Sequence, residues 1–412
     1  MKRILKENTK YIILLFIIVI STFLIGCDAI IPTTKRVYNT DTGIDYDTIQ
    51  EAIDAALSGE IIIVYPGTYK ENIEFDDRNI TVQSTDPLDS NIVTTTVIDG
   101  GSYDSVVQFL DGDMSTLKGF TIRNGDAERG SGIYVEDSSP TIKNNTITGN
   151  NASYGGGGIY VTTFSSPDIS GNTITKNNTR YGGGIYVSNS SPTIENNNIS
   201  DNTASYIYGD GGGIVVTNFS SPTIKNNTIT DNTSGNGGGI YVTTFSYPDI
   251  SGNTITGNNA SYGGGIFLDS TSPTISNNTI SNNQAEYDGG GIYVYICSNS
   301  TITGNTITGN TATNVGGGIV VNFSNSTITD NTIEDNIANT YGGGIYVSWD
   351  SDLLPVTARP TGWGTGRENI PTGEPLVPTE GVVYTIAGNE FVGNEHGDPL
   401  AYTESAHVYF GN

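Results

Sequence analysis

Short apolar segments recur at a nearly constant interval along most of this chain. The isoleucine after each glycine-rich segment stands at positions 133, 159, 185, 214, 240, 266, 292, 319 and 345, most often 26 residues apart. Each interval holds three short pieces with alternating apolar and polar positions, such as Gly158–Val161, Pro167–Ser170 and Asn172–Thr175. Such alternation, bounded by Gly, Asn, Ser and Pro, predicts short β-strands joined by turns.

A fixed interval of this length predicts a repeat architecture. One unit with three short strands cannot bury an apolar face alone, whereas stacked copies can. We therefore expect an all-β fold, a single-stranded right-handed parallel β-helix of roughly 11–13 coils with three short strands per coil. A propeller blade needs about 40 residues and a leucine-rich unit needs a different leucine spacing, so both fit the interval less well.

Positions within the unit predict which side chains face inward. Because side chains alternate across a strand, Ile159 and Val161 should point into the core and Tyr160 outward. Two asparagine columns should form corners, with left-handed backbone and amide bonds between coils. Glycine triplets should serve a third corner. The columns are Asn145, Asn172, Asn197, Asn227, Asn253, Asn278, Asn305 and Asn331, and Asn150, Asn177, Asn202, Asn232, Asn258, Asn283, Asn310 and Asn336.

The ends of the repeat region depart from this pattern. Residues 37–100 are predicted to form an N-terminal cap and the first coils, with a capping helix over Tyr46–Leu57. Ile49, Ile53 and Leu57 would share its buried face, with Asp47 or Thr48 as N-cap and Gly59 at its end. Regular repeats should occupy 101–349, an inserted loop 350–381, and the last coil with a C-terminal cap 382–412.

The first 26 residues predict a lipoprotein signal peptide. A basic start precedes the apolar run Tyr11–Ile25, and Leu24-Ile25-Gly26-Cys27 resembles a bacterial lipobox, so Cys27 is the expected lipidation site. Residues 27–36 would be a tether. The alternative is an uncleaved N-terminal anchor. In both cases we expect an exported protein held at the bacterial envelope, on the surface or facing the periplasm, whose only membrane contact when cleaved is lipid on Cys27.

Charge limits the partners of the chain. Its formal net charge is -26 at pH 7, which argues against nucleic acid and against docking on anionic lipid. Such a surface suits a polysaccharide, a cell-surface glycan or cations, and we expect a monomer. The one further cysteine, Cys297, lies in an apolar run and is interpreted as a buried inert thiol.

Two motifs carry a family resemblance. The segment TIQEAIDAALSGEIIIVYPGTYKENI, residues 48–73, resembles the N-terminal segment of the pectate-lyase-like β-helix superfamily. The GGGIY…ITGN units are similar to the repeats of polymorphic outer-membrane proteins, with Phe391-Val-Gly-Asn394 keeping the aromatic form. Together the resemblance spans about 37–410 and implies the fold. It leaves function open, because this architecture hosts lyases, hydrolases, esterases, adhesins and stalks.

Two irregular regions hold the candidate site residues. In Asp99–Asp137, the resemblance to lyases implies Ca²⁺-binding carboxylates and a basic residue. Catalytic candidates are Asp111, Asp113, Arg123 and Arg129, and Ca²⁺ ligands would be Asp111, Asp113 and Asp126. No other cofactor is predicted. The alternative is a solvated surface of acid–base pairs. In the insertion, sugar-binding candidates are Trp349, Trp363, Arg359 and Arg367, with a disordered excursion as the alternative.

A stripe of aromatic residues occupies the outward position after the core isoleucine. Tyr160 and Tyr186 in this stripe, with Tyr206 and Tyr208 at the 29-residue step, could line a polysaccharide groove, or the stripe could stabilise neighbouring strands. We therefore hold two functional hypotheses. The preferred one is a non-catalytic surface lipoprotein that displays loops for adhesion or polysaccharide binding. The alternative is a Ca²⁺-dependent polyuronate lyase or another glycan-active enzyme.

Overall fold

The computed structural model describes residues 36–205, 209–296, 299–348, 384–387 and 389–394, and the backbone of 400–402 and 408–411. Several predictions concern residues outside this part. They are the signal peptide, Cys27, most of the tether, Tyr206, Tyr208, Cys297, Trp349, Trp363, Arg359, Arg367 and the 350–381 insertion. No helix among the described residues is long and apolar enough to cross a membrane.

The chain forms a β-solenoid of about eleven turns with three long, predominantly parallel sheets. Each turn contributes one strand to each of the three sheets before the next turn begins. We name the sheets A, B and C, with their strands given below, and the chain visits them in the order C, A, B. Equivalent residues pair across turns, as Ile159 does with Ile185 and Ile174 with Ile199. The repeat interval in the sequence is therefore one turn of the solenoid.

The strand bounds follow the sequence repeat. Sheet A comprises Asp45–Tyr46, Val37–Asn39, Ile61–Val64, Thr81–Ser84, Thr116–Lys118, Thr141–Lys143, Asp168–Ser170, Thr193–Glu195, Thr223–Lys225, Asp249–Ser251, Thr274–Ser276, Thr301–Thr303, Thr327–Thr329, Tyr384–Ala387 and Val408–Gly411. Sheet B comprises Gly67–Tyr69, Thr96–Asp99, Thr121–Arg123, Thr146–Thr148, Thr173–Thr175, Asn198–Ser200, Thr228–Thr230, Thr254–Thr256, Thr279–Ser281, Thr306–Thr308, Thr332–Glu334 and Glu390–Val392. Sheet C comprises Ile73–Asp76, Val107–Leu110, Ile133–Glu136, Ile159–Thr162, Ile185–Ser188, Ile214–Thr217, Ile240–Val242, Ile266–Asp269, Ile292–Tyr295, Ile319–Asn322, Ile345–Ser348 and Leu400–Tyr402. Short corner strands between sheets B and C are Asp126–Arg129, Asn151–Gly155, Asn178–Thr179 and Thr203–Ala204, then Asn259–Tyr262, Gln284–Asp288, Thr311–Ala312 and Ile337–Ala338.

The interior is a continuous stack of aliphatic side chains. Ile159, Val161, Ile169 and Ile174 of one turn are fully buried, and their equivalents in the other regular turns are too. Each turn contributes too little apolar surface to fold alone, so burial becomes favourable only when turns stack. This confirms the predicted inward positions.

The asparagine columns form buried amide ladders. Asn172 Nδ2 donates to Asn197 Oδ1 at 3.1 Å and to the carbonyl of Ile142 at 2.8 Å. The ladder is confirmed, but the predicted left-handed backbone lies one position earlier, as at Asn144 with φ of 54°. The corner turns at that partly buried residue, while the asparagine after it fills the interior of the corner.

The glycine triplets provide both a left-handed backbone and room for the close approach of the next turn, but at different glycines of the triplet. Gly156 has φ of 63°, in the left-handed region. Gly158 instead lies so close to the next turn that an added Cβ would be 2.5 Å from the carbonyl oxygen of Gly184. The first glycine of the triplet thus makes the turn, and the later ones allow the coils to approach.

The N-terminal end is closed by a cap with antiparallel strands. Val37–Asn39 pairs antiparallel with Ile61–Val64, and the predicted helix is present as Ile49–Ala55. Thr48 is the N-cap, since its Oγ accepts from the backbone N–H of Glu51 at 3.2 Å. The prediction that Leu57 shares the buried face was wrong: the helix ends at Ala55, and Leu57 is 71% exposed. A second helix, Ser90–Thr95, was not predicted.

Candidate functional site

The aromatic stripe on the outer face of sheet C is largely covered. Tyr160 and Tyr186 stack with ring centroids 4.8 Å apart and are only 6% and 7% exposed. Tyr154, from the neighbouring corner strand, packs on the Tyr186 ring at 6.2 Å. Burial raises the pKa of Tyr160 to about 12. The stripe is thus an outer apolar layer that stabilises neighbouring strands, and these two rings leave little surface for a ligand.

Val215 interrupts the aromatic residues of this stripe but is itself buried in the same apolar cluster as Tyr160 and Tyr186. Asp210 lies on the sheet C side of the corner, and its Oδ1 accepts from Asn236 Nδ2 at 2.8 Å. Burial raises the pKa of Asp210 to about 7, and Asp269 adds to this through charge repulsion. Burial also raises the pKa of Asp269. These acids stand on non-adjacent turns, so they do not form the close carboxylate pair used by glycan hydrolases.

The predicted site in Asp99–Asp137 is dispersed by the fold. Asp113 is fully buried in a corner, where its carboxylate accepts from Ser115 and from the backbone N–H of Arg78. Asp111 is exposed in the adjoining turn, whereas Asp126 is exposed on a corner strand. Among the described residues no three His, Cys, Asp or Glu side chains are grouped to hold a metal ion. The proposed Ca²⁺ ligands Asp111, Asp113 and Asp126 are therefore not brought together.

The two basic candidates of this region are engaged in structural contacts. Arg123 Nε lies 3.0 Å from Asp99 Oδ2, which also accepts from Asn124. Burial favours the protonated form of Asp99, but the hydrogen bonds from Asn124, Gly101 and Arg123 outweigh it and hold its pKa below the usual range. Arg129 Nη2 lies 3.2 Å from Glu128 Oε1. The Arg129 guanidinium carbon is 5.0 Å from the centre of the Tyr154 ring. These contacts correspond to the acid–base pairs of the alternative interpretation.

Exposed aromatic side chains form a different surface, which sequence reasoning missed. Phe164, Phe219 and Phe245 occupy the turn from sheet C to sheet A and are 86%, 67% and 54% exposed. Phe219 and Phe245, on adjacent turns, have ring centroids 5.8 Å apart, and exposed Tyr247 follows two residues later. We call Phe219, Phe245 and Tyr247 the aromatic row. Its signal in the sequence is the recurring phenylalanine-serine pair before a proline, at Phe164, Phe219 and Phe245.

The backbone below the aromatic row is held in an unusual conformation. Phe219 and Phe245 have φ of 59° and 53°, a region that bulky side chains seldom adopt. The N–H of Phe219 donates to the carbonyl of Thr244 at 3.0 Å, so this turn continues the register of the coils. Buried Ser220 donates to the carbonyl of Thr217 at 2.5 Å and accepts from the N–H of Ser190. A serine under each turn therefore fixes the direction in which the phenylalanine projects.

A polar cavity of about 320 Å³ lies beside the N-terminal cap. Gln50 bridges its walls, because its amide donates to Asp54 at 2.9 Å and accepts from the N–H of Glu74 at 2.8 Å. The cavity is lined by Gln50, Asp54, Asn72, Glu74, Asp76 and Arg78. These residues supply hydrogen-bond donors and acceptors, carboxylates and one guanidinium, but no aromatic ring.

Comparison with known proteins agrees with this architecture. A family model described as "Right handed beta helix region" matches residues 104–270 and 204–357, which together exceed half of the chain. Neither a curated protein nor a solved structure matches the chain. The matched residues contain the stacked turns, the amide ladders and the aromatic row. The chain therefore belongs to the right-handed β-helix family.

Proposed function

We propose that this protein is a non-catalytic, envelope-anchored rod that binds a neutral polysaccharide through the aromatic row. The observation that carries the proposal is that Phe219, Phe245 and Tyr247 project their rings into solvent from a rigid scaffold. The attachment through Cys27 and the position at the cell surface remain parts of this proposal that rest on the sequence alone.

Exposed aromatic rings suit sugar recognition for a physical reason. A pyranose ring presents a face of C–H groups, which packs against an aromatic ring and loses contact with water as it does so. A ring that is already fixed by its backbone loses little conformational entropy on binding. The stacked turns fix Phe219 and Phe245 before any ligand arrives, so the row is preorganised.

The surroundings of the row favour an uncharged glycan. The turns beside it are rich in Ser, Thr and Asn, and Asn218 Nδ2 donates to Ser188 Oγ at 2.9 Å. Such groups hydrogen-bond to sugar hydroxyls. The chain has a net charge of -26 and has no Lys or Arg between 226 and 358, so a polyuronate would be repelled.

Binding can be tested by replacing the phenylalanines with a residue that tolerates the same backbone. Asparagine adopts the left-handed region readily, so F219N/F245N should fold as well as the wild type. Retention should be measured by affinity electrophoresis in gels containing β-glucan, xylan, mannan or polygalacturonate. We expect at least one neutral polysaccharide to retard the wild type and not the double variant.

An exposed apolar residue far from the row provides the matched control. L88N removes a side chain of similar exposure near the N-terminal cap and should bind like the wild type. Equal retardation of F219N/F245N and the wild type would rule out the aromatic row as the binding surface. Release of unsaturated products or new reducing ends from any glycan would contradict the non-catalytic assignment.

A further inference from the structure

The outer face of sheet B carries a two-column array of hydroxyl side chains. In eight consecutive turns the two outward positions flank one buried isoleucine, and twelve of the sixteen positions are threonine and two are serine. The first column is Thr146, Thr173, Asn198, Thr228, Thr254, Thr279, Thr306 and Thr332, and the second is Thr148, Thr175, Ser200, Thr230, Thr256, Ser281, Thr308 and Glu334. We call this surface the threonine face.

The strand pairing makes the threonine face a regular lattice. Thr228 pairs with Thr254, Thr254 with Thr279 and Thr279 with Thr306, without a register shift. Neighbouring strands are about 4.8 Å apart, and alternate residues along a strand about 6.7 Å apart. Because the isoleucine between each pair is fully buried, the two flanking side chains of a strand lie on the outer face. The first column is exposed in its central turns, whereas the second column is partly buried and Ser200 is only 9% exposed.

The side chains of this lattice are also fixed. Threonine is β-branched and has restricted χ1 freedom in a strand. The backbone beneath is held by the amide ladders, as where Asn258 Nδ2 donates to Asn283 Oδ1 at 3.0 Å. Neighbouring hydroxyls along a column also interact, since Ser281 Oγ donates to Thr256 Oγ1 at 3.1 Å. Methyl and hydroxyl groups therefore repeat at constant positions over about 34 Å.

The two columns of the threonine face hold few charged side chains on a strongly acidic protein. Among the sixteen outward positions the only charged side chain is Glu334, in the last turn. Exposed Lys176, Asp201 and Asp231 directly follow the second column at the adjoining corner, where Thr175 Oγ1 donates to Asp201 Oδ2 at 3.5 Å. The outer face of sheet A, by contrast, carries Lys143, Asp168, Glu195 and Lys225 in four consecutive turns. This scarcity of charge distinguishes the outer face of sheet B from that of sheet A. An array that must order water without disturbance would require it, because a charge binds and reorients its own water shell.

We propose that the threonine face binds ice. The two repeats of its lattice lie close to two oxygen–oxygen repeats on a prism face of ice. Its hydroxyls can take the place of lattice water, and its methyl groups favour ordered water around them. Thr228–Thr308 contains four consecutive turns in which both outward residues of the sheet B strand are Thr or Ser. These strands form the centre of the site.

The proposal predicts activity in two measurements on the purified chain. The wild type should lower the freezing point relative to the melting point, and it should restrain crystal growth in annealed ice. T230K/T256K places two ammonium groups at the centre of the face and should abolish both effects. T303K is the matched control, because Lys143 and Lys225 occupy the same column of sheet A.

The outcomes separate this proposal from the proposed function. Retained activity in T303K and in F219N/F245N, with loss in T230K/T256K and unchanged circular dichroism, supports ice binding by the threonine face. An inactive wild type overturns the proposal. Full activity of T230K/T256K, or equal loss in T303K, overturns the assignment to this face.

Discussion

Asn253 Nδ2 donates a hydrogen bond of 3.0 Å to Oδ1 of Asn278, one turn along the solenoid. The same Oδ1 accepts from the backbone N–H of Asn253 at 2.8 Å, while Asn278 Nδ2 donates to the carbonyl of Ile250. One buried side chain thus satisfies polar groups in two turns. Its contribution exceeds that of a surface hydrogen bond because no water replaces it.

Replacing Asn278 by alanine should therefore be costly. Several buried donors and acceptors would lose their partner, and we expect the free energy of unfolding to fall by about 3 kcal/mol or more. The measurement is thermal unfolding together with hydrogen exchange of the adjacent turns. N277G is the control, since Asn277 is exposed with φ of 55° and glycine accepts that backbone. Equal midpoints for N278A and the wild type would show that the ladder is not a main source of stability.

A second prediction follows from the close contact between glycine triplets in adjacent turns. A Cβ at Gly265 would lie 2.6 Å from the carbonyl oxygen of Gly291, so G265A must push two turns apart. We expect a clear loss of stability, of about 3 kcal/mol, because backbone cannot yield as a side chain does. The thermal midpoint measures it.

The control for G265A is a glycine without such a neighbour. Gly149 has φ of 66° and nothing within 4 Å of its Cβ position. G149N should change the midpoint little, since Asn144 and exposed Asn226 already adopt this backbone in other corners. A larger loss in G149N than in G265A would contradict the account of the two glycine roles.

The buried carboxyl of Asp288 should make stability depend on pH. Burial raises its pKa to about 6, partly offset by hydrogen bonds from Val315 and Asn314, whereas an unfolded aspartate titrates near 4. Between these values the folded chain holds the proton more tightly, so stability falls as pH rises from about 4 to 6. D288N removes this term and should stabilise the protein above pH 6, by up to about 3 kcal/mol.

Urea unfolding of D288N and wild type at pH 4 and pH 8 measures this effect. Their difference in midpoint should be small at pH 4 and largest at pH 8. Exposed Asp201 provides the matched control substitution, D201N. A difference that is constant with pH would contradict the assignment to Asp288.

The pKa of Asp99, which pairs with Arg123, is shifted in the opposite direction to that of Asp288. The pKa of Asp99 is lowered in the folded state, so its ionised form adds stability above pH 4, and this is lost as pH falls through the folded pKa. R123Q should reduce stability at pH 7 by less than about 1 kcal/mol, because Arg123 is partly exposed and solvent screens it. Thermal midpoints from pH 2 to 7 should converge at the acidic end. A gap that persists at pH 2 would show that packing, and not charge, accounts for the loss.

The β-solenoid could be predicted because each residue stacks on a copy of itself. Ile159 pairs with Ile185, and Asn172 with Asn197, so the vertical contacts of the core appear in the sequence as an interval. The same logic predicted the strands, the amide ladders and the glycine corner, while local helix signals offered Asp47 or Thr48 as N-cap, and Thr48 takes that role. These are contacts between equivalent positions or between near neighbours, which a periodic pattern records directly.

Contacts between unlike positions could not be read in this way. Tyr160 appears outward in the alternation, yet its burial depends on Tyr154 from a corner strand and on stacking with Tyr186. Leu57 has the spacing of a buried helix face, but the helix ends before it. The sequence groups Asp111, Asp113 and Asp126, whereas the fold exposes Asp111 and buries Asp113 in one corner and places Asp126 on the corner strand between sheets B and C.

The periodic pattern thus established the β-helix and the direction of most side chains, because alternation and stacking act at fixed separations in the chain. Only the three-dimensional arrangement decided which outward side chains meet water. Phe219 is exposed and Tyr186 is covered because the corners bring different segments over the two columns. The exposure of an outward side chain depends on the path of the chain at the neighbouring corners. The repeat interval alone does not specify that path.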